Sequence, residues 1–123
     1  MHTNESAENY LETILILSKS HPVVRSVDVA VELGFKKSSV SVAMKRLREN
    51  GYVNMDDNNL LTLTESGLAI ARSIYERHQV ISGYLMSIGV SEETALKDAC
   101  RIEHVLSEET FHKIKEIFYQ SRK

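Results

Sequence analysis

Hydrophobic residues recur at helical spacing along most of this chain, and short polar or glycine-containing breaks separate one stretch from the next. The first stretch predicts a helix over about residues 6–20, which ends before the only proline, Pro22. A second, shorter helix follows, with Ser26 expected as its N-cap and Gly34 as its C-terminal stop. Val27, Ala30 and Val31 are expected to lie on one face of this helix.

A third helix is predicted over about residues 37–50, because Val40, Met44 and Leu47 repeat at helical spacing before the break at Gly51. The pattern then changes to two short strand-like runs, YVNM and LLTLT, on either side of the turn-rich sequence DDNN. This change predicts a β-hairpin directly after the third helix.

One long helix is predicted over about residues 64–89, where apolar side chains keep a period near 3.6 residues. Two more helices are expected to open at Ser91 and Ser107, each an N-cap serine followed by acidic residues in the first turn, where the helix dipole favours them. The predicted fold class is therefore mainly α, with one hairpin after the third helix.

Charge along the chain changes this picture more than overall composition does. The formal net charge of the 123 residues is −2, yet residues 21–51 hold six basic and three acidic side chains, which indicates one anion-binding face. The single cysteine excludes an intramolecular disulfide, and no apolar run approaches the roughly 20 residues that span a membrane. A cytoplasmic protein is expected.

Three helices followed by a hairpin is the order of a winged helix-turn-helix, in which the third helix enters the major groove of DNA. Small polar and basic residues near the start of that helix could reach base edges and phosphates. The alternative is a solvated basic helix in a small helical domain, which leaves the hairpin unexplained. The expected DNA contacts are Ser26, Lys36, Lys37, Ser38, Ser39, Ser41, Lys45 and Arg46.

Candidate metal ligands cluster in the sequence ACRIEH, where Cys100, Glu103 and His104 are spaced i, i+3 and i+4 and would share one face of a helix. His78 lies on the inward stripe of the long helix, where an imidazole without a partner would lose hydration. These residues could bind an ion together. The alternatives are a core histidine that hydrogen-bonds a carboxylate such as Glu12 or Glu103, and a cysteine that is only a small buried hydrophobe.

The combination resembles the diphtheria toxin repressor family of metal-dependent transcriptional repressors, which includes the manganese transport regulators. Three stretches carry the resemblance: SAENYLETI, SSVSVAMKRLRENGYV followed by LTLTESG, and ACRIEHVLSEE. It implies a winged-helix DNA-binding domain over residues 1–70 and a helical metal-binding and dimerisation domain over residues 71–123. The implied ligands are Asn9, Glu12, His78, Cys100, Glu103 and His104. The implied dimer interface comprises Leu85, Ile102, Leu106, Phe111, Ile114 and Phe118.

The residues at the implied site mix the two branches of that family. Glu12 is what the manganese-sensing branch carries, Cys100 is what the iron-sensing branch carries, and Asn9 matches neither. A thiolate favours iron(II) over manganese on intrinsic affinity, so iron(II) is expected first and manganese second. Ser82 and Leu96 stand at ligand positions of the iron branch's ancillary site, so that second site is not expected. The barrel domain of many iron-type members is not expected, as in the short manganese-type members.

The sequence thus predicts a homodimeric, divalent-metal-activated repressor that binds double-stranded operator DNA and controls metal homeostasis. One ion would join ligands from the first, long and fifth helices, and so set the spacing of two recognition helices. Two alternatives remain open at this point. A winged-helix regulator could ignore metals and sense a small organic molecule, or Cys, His and Glu around an ion could activate water in a small metalloenzyme. The chain has no HExxH motif and no second cysteine, so no enzyme is expected.

Overall fold

A computed structural model describes residues 5–121, which form six helices and one two-stranded sheet. The elements in chain order are α1 (Glu5–Ser20), α2 (Ser26–Leu33), α3 (Lys37–Glu49), β1 (Val53–Met55), β2 (Leu61–Leu63), α4 (Glu65–Ser87), α5 (Glu92–Ile102) and α6 (Glu108–Ser121). This order confirms the predicted fold class, mainly α with a winged helix-turn-helix followed by further helices. None of the described helices is long and apolar enough to cross a membrane.

The chain divides into two compact units, and the boundary between Arg72 and Ser73 lies inside α4. The first unit has a core built on α1 and α3, in which Val40, Met44 and Leu47 are buried as their spacing predicts. Each of these side chains packs into a cluster with apolar residues of α1, α2 and the hairpin. One face of α3 is therefore buried in this core, and its other faces lie outside it.

The apolar face predicted for α2 is buried only in part. Ala30 is buried, but its buried companion is Val29, whereas Val27 and Val31 are 37% and 75% exposed. Because apolar side chains surround most of this eight-residue helix, its sequence pattern could not select one face.

The N-terminal end of α2 also differs from expectation, whereas its C-terminal end does not. Ser26 is the first helical residue and Arg25 is the N-cap, whose backbone N–H donates to the Asp28 carboxylate at 2.8 Å. The prediction of Ser26 as the cap was therefore wrong by one residue. Gly34 ends the helix as predicted, with φ of 70°, a conformation that glycine adopts without a steric penalty.

The hairpin confirms the predicted wing. β1 and β2 are antiparallel, with Val53 opposite Leu63. Oδ1 of Asp56 accepts hydrogen bonds from the N–H groups of Asn58 at 2.8 Å and Leu60 at 2.9 Å, which closes the turn between the strands.

The second unit contains the C-terminal part of α4 together with α5 and α6. Phe111 and Phe118 are buried with Val80, although both aromatic residues were expected in the dimer interface. A Cβ atom on Gly83 would lie 2.7 Å from the Phe118 ring, so glycine allows α6 to pack closely on α4. The unit's own core therefore takes up both rings, and they offer little surface to a partner.

The other four expected interface residues, Leu85, Ile102, Leu106 and Ile114, are half-buried and keep part of their surface exposed. The predicted serine caps are confirmed, since Oγ of Ser91 accepts from the Thr94 N–H and Oγ of Ser107 accepts from the Thr110 N–H. These caps fix where α5 and α6 begin.

Candidate metal centre and nucleic-acid interface

Three of the predicted ligands lie together in the second unit. Nδ1 of His78, on α4, is 3.0 Å from Oε2 of Glu103 and 3.9 Å from Sγ of Cys100, on α5. The donor atoms of these three side chains all lie within 4.8 Å of one another. Metal–ligand distances of about 2.0–2.3 Å almost span that separation, so the three side chains can share one ion after small rotations.

Glu103 is unusual among these ligands because its side chain is fully buried, with 0% exposed. One carboxylate oxygen pairs with His78, but the other, Oε1, accepts no hydrogen bond from the described residues. Nε2 of His104 lies 3.3 Å from Oε1 without the alignment of a hydrogen bond. Buried carboxylate oxygens normally have a partner, so Oε1 is an atom that a cation would satisfy.

The backbone at this cluster corrects the sequence prediction. α5 ends at Ile102, Glu103 is its C-cap, and His104 lies in the turn that follows. Cys100, Glu103 and His104 therefore do not share the face of one continuous helix. The side chain of His104 is nevertheless only 1% exposed, because the turn folds it in beside Glu103.

Arg77 is the residue that holds this turn, and the sequence did not predict its role. Its side chain is 9% exposed, and its guanidinium donates to the main-chain oxygens of Glu103 at 3.2 Å and Leu106 at 2.7 Å. It also pairs with the Glu108 carboxylate at 2.8 Å and lies 5.1 Å from the centre of the Phe111 ring. One buried side chain thus ties α4 to the end of α5 and the start of α6, on either side of the ligands.

The remaining predicted ligands, Asn9 and Glu12, lie on α1 in the first unit. Asn9 is half-buried and Glu12 is 8% exposed. Their roles as ligands stay predictions. Ser82 stands at a position where the iron branch has a ligand of its ancillary site. Its hydroxyl donates to the main-chain oxygen of His78 at 2.7 Å.

The donor set and the burial of Glu103 fit a divalent transition metal. Imidazole, thiolate and carboxylate are its usual protein ligands, and a buried carboxylate oxygen without a hydrogen bond favours a cation. His78, Cys100 and Glu103 are the described residues that would hold it, and His104 lies against the second oxygen of Glu103.

A separate feature of the first unit suits an extended polyanion. A cleft of about 910 Å³ lies between α3 and the hairpin. Three residues predicted to contact DNA line it, and so do two arginines and two asparagines. The polar lining residues are Ser26, Ser41, Lys45, Arg25, Arg48, Asn54 and Asn59, together with the acidic Glu49.

The other predicted DNA contacts lie elsewhere on α3. Lys36, Lys37 and Ser38 are exposed at its N-terminus, where unpaired N–H groups favour phosphate. Ser39 and Arg46 line a smaller depression on the neighbouring face of the helix. The predicted contacts therefore lie along the exposed surface of one helix, without all entering one cleft.

Two kinds of functional residue escaped the sequence analysis. Asn54 and Asn59 of the hairpin line the cleft, and polar residues in a predicted wing were the available signal. Arg77 carried no signal, because its partners are mostly main-chain oxygens whose positions depend on the folded turn.

Replacing Arg77 by methionine should weaken metal binding by about 10–100-fold, the usual effect of losing a group that orients the ligands. The Glu103 and Leu106 carbonyls would lose their donor, and the turn that carries Glu103 and His104 would loosen. The affinity for zinc or manganese can be measured by competition with a chromogenic chelator, alongside circular dichroism to confirm folding. Arg101→Met is the matched control, because it removes the same charge from an exposed position near the ligands. Equal affinities of the two variants would contradict this role.

Comparison with known proteins identifies the domains. The chain matches the family models for the iron-dependent repressor N-terminal DNA-binding domain over residues 2–59 and the iron-dependent repressor metal-binding and dimerisation domain over residues 64–121. It is 35% identical over 114 residues to an uncharacterized HTH-type transcriptional regulator of Methanocaldococcus jannaschii, covering 91% of each chain. It is 37% identical over 109 residues to the transcriptional regulator MntR of Escherichia coli O6:H1, covering 89% of this chain and 70% of that one.

A solved structure of a manganese-dependent transcriptional repressor in complex with manganese superposes with a TM-score of 0.82 at 26% identity. The match covers 91% of this chain and 52% of that one, so this chain spans about half the length of that relative. The sequence resemblance is thereby confirmed. This chain belongs to the iron-dependent repressor family, whose members are metal-dependent transcriptional regulators and not enzymes.

Proposed function

We propose that this chain forms a homodimer that binds operator DNA more tightly when a divalent metal ion is bound by His78, Cys100, Glu103 and His104. Residues 1–70 act as the DNA-binding domain and residues 71–123 as the metal-binding and dimerisation domain. Because the target is chromosomal DNA, the protein works in the cytoplasm. The observation that carries the proposal is the buried Glu103 carboxylate, which has one oxygen without a hydrogen bond and lies beside His78 and Cys100.

The burial of Glu103 makes this cluster respond to a cation. A carboxylate removed from water is destabilising unless it is paired and hydrogen-bonded. His78 pairs with one oxygen of Glu103, and His104 approaches the other without a hydrogen bond. A bound divalent ion would supply the missing positive charge. The same side chains therefore have a reason to reorganise between the metal-free and metal-bound states.

Two further ligands are proposed on α1, on the strength of the family resemblance. Glu12 offers a carboxylate and Asn9 offers a neutral amide oxygen. Ligands drawn from both domains would restrict the motion of the DNA-binding domain. Such a restriction favours the one arrangement in which two recognition helices, spaced by about 34–36 Å, enter successive major grooves.

The proposed metal is iron(II), with manganese as the alternative. Thiolate ligands select softer ions, and intrinsic affinity rises from manganese to iron in sites of mixed donors. Cys100 is the donor that supports iron(II). The names of the relatives favour manganese, because this chain is similar to MntR of Escherichia coli and to a manganese-dependent repressor. Carboxylate and imidazole donors accept either ion.

The DNA-binding role rests on the cleft between α3 and the hairpin. Arg25, Lys45 and Arg48 line this cleft and can neutralise phosphates, while Ser41 lies on the helix that would approach base edges. The whole chain has a net charge of −2, but residues 21–51 carry six basic and three acidic side chains. This local excess of positive charge makes the region suitable for binding DNA.

Metal should raise the DNA affinity of the wild-type protein by about 5–150-fold, the usual range for coupling between two sites. His78→Ala should remove this stimulation, because it deletes a ligand and leaves Glu103 without its pairing partner. His112→Ala is the matched control, since that side chain is 64% exposed on α6. Fluorescence anisotropy with duplexes selected from a randomised library measures both affinities, with manganese and, anaerobically, with iron(II).

Equal DNA affinity of the wild-type protein with and without metal would contradict the proposal and favour a regulator that ignores metals. A stimulation that survives in His78→Ala would show that the ion binds elsewhere.

Cobalt(II) reports on the thiolate ligand directly. Cys100 is the only cysteine of the chain, so any sulfur-to-cobalt charge-transfer absorption in the near ultraviolet must come from it. We expect this band in cobalt-loaded wild-type protein and its loss in Cys100→Ser, with the weaker visible bands of cobalt retained. Cobalt bound at equal stoichiometry without the band would remove the argument for iron(II) and leave manganese as the better candidate.

A further inference from the structure

The outward face of α3 carries one apolar side chain, Val42, among polar and charged residues. Each residue turns a helix by about 100°, so Val42 lies about 200° from Val40 and Met44 and about 140° from Leu47. Those three residues are the buried face of the helix. Val42 therefore points away from the core and is 55% exposed.

Its neighbours on this face indicate what would cover it. Lys45 and Arg46 flank Val42 on the helix surface, and Lys45 lines the cleft beside the hairpin while Arg46 lines the depression that also contains Val42. Ser38 lies one turn earlier on the same face and is exposed. An apolar side chain between two cations faces a partner that is anionic at its edges and apolar at its centre.

A helix in the major groove of DNA meets such a surface. Phosphates form its edges, and the C5 methyl group of thymine is the apolar group that the groove floor exposes. Apolar side chains recognise thymine through this methyl group. A β-branched residue also weakens a helix slightly compared with alanine, so helix propensity alone does not favour an exposed valine here.

We infer that Val42 is a specificity-determining residue that contacts the C5 methyl group of a thymine in the operator. This inference rests on the proposed binding of DNA by α3 and adds which base feature the helix recognises. The contact buries apolar surface without a hydrogen bond, so it distinguishes thymine from uracil, which differs only by that methyl group.

The test uses the whole 123-residue chain with manganese(II) and duplexes that it selects from a randomised library. Each thymine of a selected duplex is replaced in turn by deoxyuridine, and the affinity is measured by anisotropy. At one position in each half-site we expect the wild-type affinity to fall about four-fold, which corresponds to one methyl-sized group left unburied. Both half-sites together should give roughly sixteen-fold, because two independent four-fold factors multiply.

Two variants test whether Val42 causes the difference in affinity between thymine and deoxyuridine duplexes. Val42→Ala should bind thymine and deoxyuridine duplexes equally at that position, and alanine keeps the helix stable. Val31→Ala makes the same change at a valine of α2 that is 75% exposed, and it should keep the full discrimination.

Each outcome separates this inference from the proposed function. Wild-type protein that selects no duplex with manganese(II) or iron(II) would overturn both. Selection of a duplex in which no thymine-to-deoxyuridine exchange weakens binding would overturn the role of Val42 alone. Discrimination that persists unchanged in Val42→Ala would assign the contact to another residue and overturn it as well.

Discussion

The Glu103 carboxylate lies where water cannot reach it, and the arrangement of the second unit follows from how that group is satisfied. Its side chain is 0% exposed, one oxygen pairs with His78, and the other accepts no hydrogen bond from the described residues. Burying such a group costs several kcal/mol unless a positive charge is close by. A protein that retains it gains a site whose stability depends on a cation, which is what a metal-responsive regulator requires.

The surrounding structure keeps this carboxylate in place. Arg77 donates to the main-chain oxygens on both sides of His104, so the turn after α5 is held from within the unit. The helix ends at Ile102, which places Glu103 at a helix terminus instead of on a continuous face. Ligands on a short turn between two helices can adjust when an ion binds, while the helices that carry the turn remain packed.

The sequence predicted those features that repeat along the chain. Val40, Met44 and Leu47 gave the third helix and its buried face, since they stand out on an otherwise polar segment. The same reasoning failed for α2, where apolar residues on several faces left the direction undetermined. His78, Cys100 and Glu103 were singled out with the help of the family resemblance, and their donor atoms do lie together, while their role as ligands stays a prediction. The buried Arg77 could not be found, because periodicity treats arginine as exposed and its main-chain partners come together only in the folded turn.

The most direct test is whether a bound cation stabilises the buried Glu103 carboxylate. Thermal unfolding is measured for the wild-type protein and for Glu103→Gln, each with and without manganese or zinc. Glutamine has nearly the same shape without the charge, so the metal-free variant should unfold at the same temperature as the metal-free wild type or higher. Metal at about 100 times its dissociation constant should stabilise the wild type by about 2.7 kcal/mol, or roughly 10 °C, and leave the variant unchanged. Equal stabilisation of both proteins by metal, or of neither, would contradict this account.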